Sequence, residues 1–88
     1  MKESMEYKIE NNNVICYCNG NVIGTLTMIN EGNTYNISKV YVNESYRGIG
    51  IASKMMEMAL RYIHENHKEV KATCSYAKKY LEKKGNSV

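Results

Sequence analysis

Residues 42–52 read VNESYRGIGIA and lie where the apolar pattern of the chain changes from that of a strand to that of a helix. Upstream, Thr34–Val42 alternates with a period of two, as strands do. Downstream, from Gly50 to about Glu65, apolar residues recur with helical spacing and form one wide stripe. Gly48 and Gly50 occupy the junction, so this stretch predicts a glycine-rich turn between a strand and a long amphipathic helix.

The first half of the chain predicts further strands. The candidates are Met5–Ile9, Val14–Cys18, Val22–Ile29 and Thr34–Val42. Asn19-Gly20, between the second and third candidates, is the strongest short signal for a hairpin. Three antiparallel strands in sequence, Val14–Cys18, Val22–Ile29 and Thr34–Val42, predict a meander.

Strict alternation assigns faces within these strands. In Val22–Ile29, one face is predicted to carry Ile23, Thr25, Thr27 and Ile29, and the opposite face to carry Val22, Gly24, Leu26 and Met28. In Thr34–Val42, one face is predicted to carry Tyr35, Ile37, Lys39 and Tyr41, and the opposite face to carry Asn36, Ser38, Val40 and Val42. Each strand is therefore predicted to present one side chain in two to the core.

The second half predicts helix, strand and helix. After the long helix, Val70–Cys74 is predicted to be a short buried strand, and Ser75–Lys83 a second helix that Ser75 caps. The apolar stripe of that second helix contains Tyr76, Ala77, Tyr80 and Leu81. The fold class is α/β (α+β), with a mixed, mostly antiparallel sheet and two helices in a single domain, residues 1–88.

Length and charge limit the classes of function. With 88 residues the chain forms one small domain, so a large substrate is bound at the surface or by a partner. A net charge of +3 suits an anionic small molecule better than nucleic acid. The lysines near the C-terminus have two interpretations, a solvated helix face or a patch that contacts phosphate groups. We expect a cytoplasmic monomer or weak homodimer, with no nucleic-acid partner and no membrane association.

The glycines of the central turn indicate a ligand site. The first turn of a helix offers unpaired N–H groups and the positive end of the dipole, which together bind phosphate. Glycine lets a ligand approach such a backbone closely, and Arg47 adds charge. A plain strand-to-helix turn that needs glycine for its shape is the other interpretation. A dinucleotide fingerprint is excluded because Ser53 replaces its third glycine, and no P-loop ending is present.

These residues resemble the acetyl-CoA motif of the GNAT acetyltransferase superfamily, in which Arg47, Gly50 and Ala52 match the fixed positions of Arg/Gln-x-x-Gly-x-Gly/Ala. The chain is also similar to a minimal subfamily of GNAT-like proteins, which share a Tyr-Val strand end, Tyr-Arg-Gly-x-Gly-Ile-Ala, a long helix and a Cys-Ser-Tyr/Phe strand end. Here these segments are Tyr41-Val42, Tyr46–Ala52, Met55–His64 and Cys74-Ser75-Tyr76. The resemblance extends from about Val14 to Lys83.

The resemblance implies an N-acetyltransferase that takes acetyl-CoA as acyl donor and an unidentified amine as acceptor. Acetyl-CoA is expected in a cleft between the strand ending at Val42 and the strand ending at Cys74. The pantetheine arm would pair with the backbone around Val40–Val42, and the pyrophosphate would lie over Arg47–Ala52. The cofactor-binding residues implied are Tyr41, Val42, Arg47, Gly48, Ile49, Gly50, Ile51, Ala52 and Ser53.

The sequence departs from the subfamily at positions that bear on catalysis. Lys39 stands where the subfamily usually has a histidine, and Asn43 replaces the proline after Tyr-Val. If that histidine acts as a base, the departure affects the chemistry and leaves the cofactor site unchanged. A CoA- or acyl-CoA-binding regulatory module without catalytic activity is therefore the alternative function.

Cys74 and Tyr76 are the candidate catalytic residues. At a helix N-terminus the Cys74 thiol is favoured as a thiolate that could accept the acetyl group, or it packs as a small apolar residue. Tyr76 and Tyr80 are candidate acids for the departing CoA thiolate, or core residues. The other cysteines, Cys16 and Cys18, lack nearby partner ligands, so no metal site is predicted and all three cysteines are expected as free thiols.

Overall fold

The computed structural model describes residues 4–84. Its sheet contains β1 (Met5–Glu10), β2 (Asn13–Cys18), β3 (Asn21–Asn30), β4 (Thr34–Val42) and β5 (Glu69–Ala72), arranged in that order. The helices are α1 (Ile51–Glu65) and α2 (Ser75–Lys83), and a short 3₁₀ turn covers Glu44–Tyr46. β1 to β4 pair antiparallel and β5 pairs parallel with β4. The predicted mixed, mostly antiparallel sheet with two helices is confirmed.

Asparagine and glycine shape the hairpins. Asn19 and Gly20 have φ of +51° and +84°, which is the geometry expected of a two-residue hairpin turn with the right-handed twist of the strands. Asn11 and Asn12 form a second turn of this kind, with φ of +49° and +62°. No turn was predicted at Asn11-Asn12, and this turn adds β1 to the meander as a fourth strand.

The core lies between the sheet and α1. The buried side of α1 consists of Ile51, Met55, Met56, Ala59 and Ile63. These residues form one cluster with buried strand residues, among them Val14, Leu26 and Ile37. Gly24 lets α1 approach the sheet closely, because a Cβ built there would lie 3.3 Å from both the Met55 Cε and the Tyr41 carbonyl oxygen.

A β-bulge in β3 overturns part of the predicted alternation. Cys16 pairs with Gly24 whereas Tyr17 pairs with Val22, which leaves Ile23 as an extra residue. Ile23 is therefore buried together with Gly24, and Val22 is exposed. The predicted face of Val22 and Ile23 was wrong because an inserted residue reverses the phase of a period-two pattern.

A second bulge lies within β4. Met28 pairs with Ile37 and Thr27 pairs with Lys39, so Ser38 is the extra residue. After it, Val40 and Val42 turn toward the core, the side that Tyr35 and Ile37 occupy before it. Lys39 and Tyr41 are exposed, and their predicted grouping with Tyr35 and Ile37 was wrong.

Three expectations for the C-terminal part were also wrong. β5 is a four-residue edge strand and is mostly exposed, with 37% of Val70 accessible, because it has only β4 as a neighbour. The N-cap of α2 is Cys74, and Ser75 is the first helical residue. Tyr76 is 40% exposed, while Ala77 is the residue of α2 that is fully buried.

Candidate functional site

The site begins where β4 and β5 separate. β5 pairs with Thr34–Ile37 only, and the last link is the Ile37 carbonyl, which accepts from the N–H groups of Thr73 at 3.2 Å and Cys74 at 3.3 Å. Beyond Ile37, β4 continues to Val42 and is paired with β3 alone. One edge of this part of β4 is therefore open.

The register shows which backbone groups the open edge presents. The Asn43 N–H donates to the Ile23 carbonyl at 2.7 Å, which makes Val42 and Gly24 a non-hydrogen-bonded pair of the antiparallel ladder. The backbone groups of Val42, and of Val40 two residues earlier, consequently point away from β3. The Val42 carbonyl accepts from Arg47 Nε at 2.8 Å. The N–H groups of Val40 and Val42 and the Val40 carbonyl point toward the gap.

The turn after β4 holds Arg47 beside this edge. The Asn43 side chain accepts from the Ser45 N–H at 2.9 Å and fixes the start of the 3₁₀ turn. Arg47 follows in extended conformation, and its guanidinium lies 5.9 Å from the centre of the Tyr41 ring. One nitrogen of the guanidinium fork is occupied by Val42, so the others are free to meet an anion.

The two glycines of the turn adopt conformations that other residues avoid. Gly48 and Gly50 have φ of +83° and +92°, and a Cβ built on either would meet nothing within 4 Å. The positive φ is enough to explain why glycine occupies both positions, which agrees with the interpretation as a plain strand-to-helix turn. The open space in front of both residues is a separate observation, and it leaves the backbone accessible.

The first turn of α1 exposes its amide groups. Gly50 is the N-cap and has no side chain to cap the helix, and the first helical bond runs from the Lys54 N–H to the Gly50 carbonyl at 3.0 Å. The N–H groups of Ile51, Ala52 and Ser53 therefore have no acceptor within the helix. With the positive end of the helix dipole they favour a bound anion.

These elements enclose a cavity of about 430 Å³. Its lining brings together most of the predicted site: Tyr41, Val42, Arg47, Gly48, Gly50, Ile51, Ala52, Ser53 and Tyr76. Val40 and Tyr46 complete the wall. Tyr46 belongs to the motif but was not predicted to be a site residue, because its direction toward the cavity depends on the 3₁₀ turn. Ile49, also predicted, is 63% exposed and does not line the cavity.

α2 contributes the hydroxyl group of Tyr76 to the cavity. Burial raises its pKa above the ordinary tyrosine value, and the neighbouring Tyr80, whose ring centre is 6.4 Å away, raises it further. The hydroxyl therefore keeps its proton at neutral pH and can donate it. The residues that line this cavity include no histidine, aspartate or glutamate, which are the usual general bases of enzymes.

Cys74 and Lys39 lie outside the cavity lining. Cys74 is half-buried, packs against the core and makes no capping hydrogen bond with its side chain. Lys39 is exposed on the outer face of the sheet, opposite Thr27. Cys16 and Cys18 are buried core residues, and all three cysteines are free thiols.

Over residues 4–84, neither helix combines the length and apolar character that crossing a membrane requires. Comparison with known proteins gave one family match, in which residues 7–87 fit the model of the GCN5-related N-acetyl-transferases. No curated protein sequence matches the chain.

Solved structures with the same fold include enzymes that bind CoA. A GCN5-like protein from Staphylococcus aureus, assigned as an N-acetyltransferase, is 26% identical with a TM-score of 0.74, over 92% of this chain and 81% of that one. An N-acetyltransferase from Thermoplasma acidophilum in complex with coenzyme A is 13% identical, with a TM-score of 0.59, over 61% of this chain and 34% of that one. An aminoglycoside N-acetyltransferase in complex with CoA is 14% identical, with a TM-score of 0.64, over 80% and 55%. The last two show a shared fold, and this chain spans about half of their length or less.

Proposed function

The chain belongs to the family of GCN5-related N-acetyltransferases, and from this premise we propose that it transfers an acetyl group from acetyl-CoA to an amine. The observation that carries the proposal is the cavity at the open edge of β4, where unpaired helix N–H groups, Arg47 and free strand N–H groups meet. Each of these groups complements one part of CoA.

We assign the pyrophosphate to the turn and the pantetheine to the strand. Two negatively charged phosphates suit the amides of Ile51–Ser53, the helix dipole and Arg47. The pantetheine arm carries two amides, which suit the N–H and carbonyl groups of Val40 and Val42 in the manner of an added strand. The apolar residues of the cavity wall would exclude water from the thioester.

In the proposed reaction a neutral amine attacks the thioester carbonyl directly. A C–N bond forms, the C–S bond breaks and CoA leaves as a thiolate, which takes a proton from the Tyr76 hydroxyl. The attacking amine releases a proton to solvent, and the tyrosinate is reprotonated from solvent. Strand N–H groups that donate to the carbonyl oxygen would stabilise the charge that develops there.

Cys74 is not required by this route. Its thiol packs against the core and Cys74 is not among the residues that line the cavity, which supports direct transfer over an acetyl-cysteine intermediate. We propose that Cys74 closes the junction between β5 and α2 as a small apolar side chain.

A second candidate function is a CoA-binding module without catalytic activity. It is favoured by one observation: the cavity lining contains no histidine, aspartate or glutamate, and Lys39, at the position of the subfamily histidine, lies on the outer face of the sheet. Both functions require the same cofactor site, so the test must measure binding and chemistry separately.

The test combines two measurements. Calorimetric titration with CoA measures binding, and the free thiol released from acetyl-CoA measures transfer. The acceptors are a polyamine, an arylamine, a peptide with a free N-terminus and a peptide with an internal lysine. We expect Tyr76→Phe to lower kcat about 100-fold with CoA affinity unchanged, since a general acid contributes on this scale. Tyr17→Phe, on the exposed face of the sheet, is the matched control, and Cys74→Ala is expected to retain transfer.

The outcomes separate the candidates. Tight CoA binding with no thiol release for any acceptor would favour the regulatory module. Loss of transfer in a folded Cys74→Ala variant, together with acetylated Cys74 in the wild type by mass spectrometry, would overturn the direct route. Absence of CoA binding would overturn both functions.

A further inference from the structure

A second cavity of about 360 Å³ adjoins the first along α2. Its lining is Ser53, Tyr76, Lys79, Tyr80, Lys83 and Lys84. Ser53 and Tyr76 line both cavities, so the second begins where the phosphate-binding turn ends. We call this second cavity the lysine groove.

One face of α2 forms the wall of the lysine groove. Relative to Tyr76, the residues that line it follow at positions +3, +4, +7 and +8, which lie on one stripe of a helix. Ala77 and Leu81 pack on the core, and Tyr80, which is partly buried, packs against the core and also lines the groove. The stripe that was predicted to be apolar therefore contributes Ala77 and Leu81 to the core, Tyr76 to the open, basic surface, and Tyr80 to both.

The charges of the lysine groove are not neutralised within the described chain. Over residues 4–84 none of its lysines forms an ion pair, since the pair observed there joins Lys71 and Glu31. The Lys84 ammonium lies 5.8 Å from the centre of the Tyr80 ring. The groove thus combines unpaired positive charge with tyrosine rings, which suits a phosphate attached to a planar heterocycle.

We propose that the lysine groove binds the 3′-phosphoadenosine end of CoA. The proposal rests on the assignment of the pyrophosphate to the turn at the start of α1. Adenosine is attached directly to the pyrophosphate, so it must leave the first cavity beside that turn, and the lysine groove starts there at Ser53. The 3′-phosphate meets the lysines, and the adenine meets a tyrosine ring.

The groove therefore gives the site selectivity for CoA over dephospho-CoA, which differs from CoA only by the absence of the 3′-phosphate. Since lysine–phosphate pairs at a surface are individually weak, several lysines are needed for a measurable preference. Of the two interpretations of the C-terminal lysines, a solvated face and a patch that contacts phosphate, we propose the second.

Calorimetric titration of the whole chain with CoA and with dephospho-CoA tests the proposal. At low salt we expect wild type to bind CoA about 10-fold more tightly than dephospho-CoA. In Lys79→Gln/Lys83→Gln this ratio should fall to about one, through loss of CoA affinity alone. Lys8→Gln/Lys78→Gln, which removes the same charge from exposed positions lining neither cavity, should keep the ratio.

A measurement on wild type alone supplements the variants. Raising the salt concentration should reduce the preference for CoA, because exposed charges are screened. Equal affinity of wild type for the two ligands, or an unchanged ratio in Lys79→Gln/Lys83→Gln, would overturn the groove assignment and leave the proposed function standing. Binding of neither ligand by wild type would instead overturn the proposed function itself.

Discussion

The two halves of β4 belong to one strand but have different roles. Residues Thr34–Ile37, the closed half, are paired with β3 on one side and β5 on the other, and Tyr35 and Ile37 are buried. Residues 39–42, the open half, are paired with β3 only and border the cavity. Ser38 lies between them as the inserted residue of a bulge. A short partner strand and one extra residue thus let a strand serve as scaffold at one end and as binding edge at the other.

The largest effect is expected in the closed half. Ile37→Ala removes a fully buried side chain and should lower the free energy of unfolding by about 3 kcal/mol, measured by urea denaturation. The folded fraction should still bind CoA. Val40→Ala, in the open half, should cost about 1 kcal/mol because Val40 is only partly buried. Equal loss of stability in the two variants would remove the distinction between the halves.

The turn that follows the open half provides a sharper comparison. Gly50 and Gly32 have nearly the same φ, +92° and +94°, and a Cβ at either meets no atom within 4 Å. Gly50→Ala and Gly32→Ala should therefore lose similar stability, about 1 kcal/mol, by urea denaturation. Only Gly50→Ala should weaken CoA binding, about 30-fold by calorimetry, because its methyl group enters the space assigned to the pyrophosphate. Unchanged CoA affinity in a folded Gly50→Ala variant would locate the site elsewhere.

A smaller effect is expected from Arg47→Lys. Lysine keeps the charge but cannot hold the Val42 carbonyl and a phosphate with separate nitrogens of one planar group. CoA affinity should fall about 5-fold by calorimetry. Arg61→Lys, at an exposed position of α1, is the control and should bind as wild type does. Arg47→Lys with wild-type affinity would mean that the guanidinium serves the turn and not the ligand.

Much of the fold follows from local pattern. The strands of the meander, α1 and α2 were predicted to within a residue or two at most ends, because apolar period and the Asn-Gly turn are properties of short segments. The bulges at Ile23 and Ser38 were not predictable from alternation, since each depends on how a strand pairs with its neighbour. The exposure of β5 was not predicted for a similar reason, since the position of a strand at the edge is a property of the whole sheet.

The site divides in a similar way. Gly48 and Gly50 are visible in the sequence because they stand between a strand pattern and a helix pattern, where a tight turn or a close ligand calls for glycine, and Arg47 lies directly beside them. Tyr46 was not predicted as a site residue because its direction depends on the 3₁₀ turn. The lysine groove was visible only as a charge pattern, since the division of α2 between core and surface depends on how the helix packs.

Titration of the ¹⁵N-labelled chain with CoA, followed by amide chemical shifts, tests whether CoA occupies the open half of β4 and the turn after it. We expect the largest changes at Val40, Val42, Gly48 and Gly50–Ser53, with Thr34–Ile37 little affected. Changes concentrated in the closed half or on another face of the molecule, or no changes at saturating CoA, would contradict this location of CoA.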